Sequence, residues 1–279
     1  MPPPDLIRSK SPPDVPRMQA YLVPAAAAIL VLGLQSSTAE PKLVQYAAVK
    51  VNVSEAYRPD GAFKKLQAAF GKATADKDAA GLFALIGPTF VWTTDGSVSG
   101  RFDLGRDATH NFKVLFGFRA PGKDTDGGVD DGPYWDTLAE FAADGTYYKV
   151  ADNLVCGPVA AEIADDDAFE RARRKIDPDD SGLDWYFTTT EVAVTNRPAD
   201  RGAPVAKLSG IAVPLVSVYP APTDKEPVQP TTHVQILLPT GQTGWIPAAA
   251  ARPLFSDRLC YAKTVSGEWT IVAFDQSGD

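Results

Sequence analysis

Hydrophobic and polar positions alternate from Ala48 to Val53, which predicts a short strand or an extended lead-in. After Asp60 the pattern changes. Phe63, Leu66 and Phe70 recur on one helical face, with Lys64 and Lys65 off it. Gly71 and Asp76 break or shift that helix, and Leu82, Phe83 and Ile86 start a second apolar face that Gly87-Pro88 stops. Phe90 to Thr93 reads as a strand before an Asp95-Gly96 turn. Leu104 to Phe118 predicts a helix carrying Phe112, Leu115 and Phe116, and Asp131 to Ala143 another carrying Trp135, Leu138 and Phe141. Tyr147 to Val150 and Leu154 to Cys156 read as extended core pieces. Asp165 to Ile176 is a polar helix around Phe169, and a loop, Asp177 to Asp184, leads to Trp185-Tyr186-Phe187.

From Val192 to Ile246 the pattern is one of short β-type runs split by Pro and Gly turns. Such close spacing predicts a small all-β barrel. Pro239 to Gly241 is a tight hairpin turn, Gly244 lets the backbone pass close to a neighbour, and Trp245 is expected to plug the core. The insert Tyr219 to Thr232 holds Pro220, Pro222, Pro227 and Pro230, too many for a central strand. Arg258 to Lys263 and Thr270 to Phe274 predict a hairpin around Ser266-Gly267. Simple alternation puts Trp269 and Ile271 on one face of it, and Thr270, Val272 and Phe274 on the other.

The run Pro204-Val205, Leu208, Gly210 and the closing Leu238-Pro239-Thr240-Gly241-Gln242-Thr243-Gly244-Trp245-Ile246 resemble the bacterial SH3-like domain. Two positions depart from that family: His233 stands where it carries a Trp, and Thr195 where it carries an Arg. The opening order of helix, short helix and Gly87-Pro88-Thr89-Phe90-Val91-Trp92 is similar to the start of domains like nuclear transport factor 2, over about forty residues. The helices predicted next exceed what that cone-shaped family has. As a whole the layout resembles exported bacterial SH3 domain-containing proteins that close on a Gly-x-Trp-x-Ile strand, here Gly267 to Ile271.

Arg8, Lys10 and Arg17 precede an apolar run, Ala20 to Leu34, and Ser37-Thr38-Ala39 supplies small residues before Glu40. That order predicts a cleaved secretory signal, with an uncleaved anchor as the alternative and Met18 as a second possible start. Export would leave the mature protein periplasmic or secreted and outside the membrane. The formal charge of −8 argues against nucleic acid, because no basic patch exists to release counterions from phosphates.

Candidate chemistry is sparse. Cys156 and Cys260 are the two cysteines of the chain. In an oxidising compartment they either form a disulfide or stay as two buried thiols. Asp177, Asp179, Ser181 and Gly182 match the first half of an EF-hand loop, but its twelfth position is Thr188 rather than Glu. A solvated acidic turn is the simpler reading, with calcium the alternative. The acidic cluster Asp124, Asp126, Asp130 and Asp131 reads as a loop. His110 and His233 carry no supporting nucleophile pattern, and no catalytic set, cofactor motif or metal motif emerges. Aromatics near the barrel remain, of which Tyr219, His233 and Tyr186 are the groove candidates.

These observations predict a signal peptide over 1–39, an α+β domain over 40–187, an SH3-like barrel over 188–255, and a C-terminal hairpin over 256–279 packing back on the α+β domain. The expected function is non-enzymatic binding or scaffolding, with a cell-wall peptide or envelope protein as partner. The alternative is an enzyme or small-ligand carrier with a pocket in the α+β domain.

Overall fold

Helices and many antiparallel strands mix along the chain, in an α+β architecture built on two sheets. The computed structural model describes residues 44–94, 97–99, 103–118, 134–179, 184–198, 202–221 and 230–277. The expected signal segment, the Asp124 to Asp131 cluster, residues 180–183 of the acidic turn and most of the proline-rich insert lie outside them. No helix among the described residues is long and apolar enough to cross a membrane.

Strand β1 (Val49–Val53) is followed by α1 (Gly61–Ala75), α2 (Ala79–Phe83), β2 (Ile86–Thr94) and β3 (Ser97–Val98). The Asp60 carboxylate starts α1 by accepting from the Phe63 amide at 2.7 Å. Phe63, Leu66, Phe70 and Ala73 are its buried face, as the spacing predicts. Next come α3 (Ala108–Leu115), α4 (Trp135–Ala143), β4 (Tyr148–Ala151), β5 (Leu154–Gly157), β6 (Ala161–Ile163) and α5 (Asp166–Ile176). Helix α3 starts later than its apolar pattern suggests. Asp107 caps it at the His110 amide, while Leu104 sits in the turn before it, 87% exposed.

Strands β7 (Trp185–Thr188), β8 (Val192–Thr195), β9 (Pro204–Leu208), β10 (Ile211–Tyr219), β11 (His233–Leu237), β12 (Thr243–Pro247) and β13 (Ala251–Pro253) lead to a closing pair, β14 (Arg258–Lys263) and β15 (Trp269–Gln276).

One sheet runs β13-β7-β10-β11-β12-β8-β9, with β1 pairing β10 and β6 pairing β1. It bends round its own core. The Thr188 hydroxyl of β7 donates to the Leu208 carbonyl of β9 at 3.4 Å, which brings the second strand of the order to the last. Val194, Leu208, Val213, Val234, Ile236 and Ile246 fill the inside. On the outside, Tyr46, Val49, Val51 and Phe169 cover Trp185, Phe187, Ala212 and Leu237. The Tyr46 hydroxyl donates to the Leu237 carbonyl at 2.8 Å, which fixes this cover.

The other sheet runs β3-β2-β15-β14-β5-β4. The closing hairpin is therefore central to it, with β15 parallel to β2 and β14 antiparallel to β5. Helices α1 to α4 add to its core, with Phe63, Leu82, Phe112 and Leu138 fully buried in it. Phe63 sits at the centre, fully buried, with Tyr147, Tyr261, Trp269 and Tyr57 edge-on to it at 4.9–5.5 Å. The alternation expected for β15 does not hold along its length. The register slips between Ile271 and Ala273, so Phe274 joins Trp269 and Ile271 in one core rather than opposing them.

Sheet membership ignores the sequence boundary expected at residue 188. Strands β1 and β6, helix α5 and β7 all precede or straddle it, yet belong with the later strands. The segment 49–57 straps the two sheets together. Val49 pairs with Ala212, while the Tyr57 amide donates to the Tyr147 carbonyl at 2.7 Å.

Candidate functional site

Among the described residues, two places stand out as candidate sites. The first is the outer face of β10, β11 and β12 beyond the cover. Strand β10 begins with Ile211, Val213 and Leu215 facing the inner core. Continued alternation would send Ser217 and Tyr219 inward too. The register slips at Val216 instead, so that Val218 pairs with Val234 in the core while Tyr219 pairs with His233 outside. Tyr219 is 46% exposed and meets Trp245 edge-on, with ring centroids 6.2 Å apart. His233 also opposes Pro247, and Gln235 opposes Trp245. Ser217 donates to Gln235 Oε1 at 2.8 Å and forms a polar margin to the aromatic surface.

Trp245 is not the core plug its position suggests. It is half-buried on the outer face, and Ile246, fully buried, fills the inside. The close passage at Gly244 is real: a Cβ there would stand 2.2 Å from Val194 Cγ1. Of the three aromatic candidates, Tyr219 and His233 are thus neighbours, but Tyr186 is not with them. Tyr186 opposes Val213 and packs against the inner core, on the other face of the sheet. Burial, and to a lesser degree the nearby Asp184, pushes its phenol pKa up. Trp185 and Phe187 are core on the covered face.

The second place is a cleft of about 350 Å³ between α4, Pro158-Val159 and the segment 252–257. Its apolar lining includes Phe141, Pro158 and Val159, and its charged lining Glu140, Asp144, Arg252 and Asp257. Sequence reasoning missed it because three segments distant in the chain build it. The available signal was Arg252, a lone charge directly after the apolar Ala248 to Ala251.

Cys156 and Cys260 are directly opposed on β5 and β14 and joined in a disulfide, and no free cysteine is left to act as a nucleophile. His110 is exposed on α3. Among the described residues no three His, Cys, Asp or Glu side chains gather as metal ligands.

No protein-family model matches the chain, and no curated protein matches it. Among solved structures, an NTF2-like protein with a cystatin-like fold from Novosphingobium aromaticivorans aligns over 77% of this chain and 79% of its own, at 11% identity and a TM-score of 0.23.

Proposed function

We propose that the chain is an exported, non-enzymatic binding protein of the bacterial envelope. In this reading the bent sheet is an SH3-like barrel, set after an α+β unit whose sheet the C-terminal hairpin completes. The ligand is a short peptide of the cell wall, or an envelope protein presenting one. It lies along the outer face of β10, β11 and β12.

The observation that carries the reading is the exposure of Tyr219, edge-on to Trp245 and in register with His233, where β10 has turned from the core. Aromatic rings held rigidly at a surface give large contact area at low entropic cost, and a polar margin adds direction. The consumption of both thiols in a disulfide supports binding rather than thiol catalysis.

Retention of the mature chain on purified cell-wall sacculi tests the reading, with Tyr219→Ala and Trp245→Ala beside it. Retention of the wild type and its loss in both variants is expected. A wild type that is not retained ends the wall-peptide version. Equal retention of all three moves binding away from this face.

A further inference from the structure

We infer that the cleft beside α4 is a second binding site, for a small zwitterion such as an amino acid or a free dipeptide. It is independent of the outer sheet face and would make the chain a small-ligand carrier as well.

Charge carries the inference. Arg252 is half-buried, and among the described residues its guanidinium has one partner, the Ala251 carbonyl at 3.1 Å. Five N–H donors on a planar fork are suited to a carboxylate. The cleft's own carboxylates do not serve it. Asp144 accepts from the Thr146 amide and hydroxyl, and Asp257 from the Ser277 amide and hydroxyl. Glu140 lines the same space from an exposed position on α4 and makes no side-chain bond among the described residues. A guanidinium and a carboxylate thus face one cleft without pairing to each other.

That arrangement selects among ligands. A plain anion would satisfy Arg252 but meet Glu140, Asp144 and Asp257. A plain cation would satisfy Glu140 and leave the guanidinium unmatched. A molecule carrying both charges answers both, its carboxylate on Arg252 and its ammonium towards Glu140. The volume of about 350 Å³ is at the small end of ligand sites, enough for a dipeptide. Phe141 and Val159 offer apolar surface for short side chains.

Calorimetric titration of the mature chain with alanyl-alanine tests the proposal, with N-acetylalanine and alaninamide as probes bearing one charge each. The dipeptide is expected to bind, and each single-charge probe to bind at least about tenfold more weakly. Arg252→Gln and Glu140→Gln should each weaken the dipeptide about tenfold to a hundredfold. Glu140 is exposed on its helix, so its variant remains informative if Arg252→Gln disturbs folding. Trp245→Ala should bind the dipeptide unchanged, which separates this site from the sheet face. The inference is overturned if millimolar dipeptide gives no heat, if either single-charge probe binds as well, or if Glu140→Gln binds as tightly as the wild type.

Discussion

Gly244→Ala is the sharpest perturbation of the bent sheet. The added Cβ would lie 2.2 Å from Val194 Cγ1, 3.3 Å from the Thr195 carbonyl oxygen and 3.4 Å from Val205 Cγ2. Val194 is fully buried in the inner core with Leu208 and Ile246, and a β-branched side chain has few rotamers into which to retreat. Overpacking of this kind costs about 1–3 kcal/mol. Val194→Ala alone removes two methyl groups, worth about 1.6 kcal/mol in transfer plus a cavity term, or about 2 kcal/mol together. In the double variant the methyl at 244 enters the space that Val194 leaves. The combined loss should therefore fall short of the sum by at least about 1 kcal/mol. Urea melts of the four chains give the cycle. In a thermal melt each kcal/mol is a drop of about 2–4 °C for a chain of this size. Strict additivity, or a Gly244→Ala loss below about 0.5 kcal/mol, would refute the close approach as the reason for glycine here.

Three further outcomes follow from the other sheet. The Cys156–Cys260 bond closes a loop with a sequence separation of 104, so replacing both with Ser should lower stability by about 4–5 kcal/mol in the chain-entropy account; equal urea midpoints for the Ser variant and the oxidised wild type would contradict it. Asp60→Ala should cost about 1 kcal/mol through the lost cap of α1. The Lys263 ammonium first, and the Phe63 amide second, hold the Asp60 carboxyl below the usual carboxylate range. Its contribution is therefore present above about pH 4 and lost as pH falls through the depressed folded value, so the gap between wild type and variant should close below about pH 4. A gap that widens on acidification reverses the sign and sinks the assignment. A chain ending at Pro253 loses Leu259, Tyr261, Trp269, Ile271 and Phe274 from the core, at about 1.5–3 kcal/mol each, a sum that matches the whole stability of a typical domain. Loss of near-UV dichroism from the helical half is expected, and native dichroism would make the hairpin dispensable.

Local pattern carried much of the secondary structure. Helix α1 was legible because its buried face repeats at helical spacing behind a capping Asp60. Strands β8 to β12 were legible because turn residues punctuate them. What local pattern could not supply was long-range partnership. Nothing near Val49 announces Ala212, and nothing near Ile86 announces a parallel Ile271. The two cysteines suggested a bond by their number alone, and only the opposition of β5 and β14 brings them together. The aromatic candidates were read from residue type. Their faces depend on register, which is why Tyr219 and His233 lie together while Tyr186 turns inward and Trp245 outward. The cleft had no local signature, because its charges come from α4 and from the segment 252–257, separated by most of the bent sheet.

The slip at Val216 links the fold to the proposed binding face. Before it, β10 is covered on both sides: Val213 looks into the inner core, and Ala212 lies under β1 and α5. After it, only one side is covered, by Val218 against Val234. A strand that kept unbroken alternation through Val216 would have to bury the Tyr219 hydroxyl in an apolar core and expose Val218. Burying a hydroxyl without a partner costs about 1–3 kcal/mol, and exposing a valine about 1.5 kcal/mol more. The bulge avoids both costs by leaving out Val216, a residue already 45% exposed. The same irregularity that keeps the core apolar thus sets Tyr219 beside Trp245 and His233, and this exposed aromatic face and the packing of the core depend on one register.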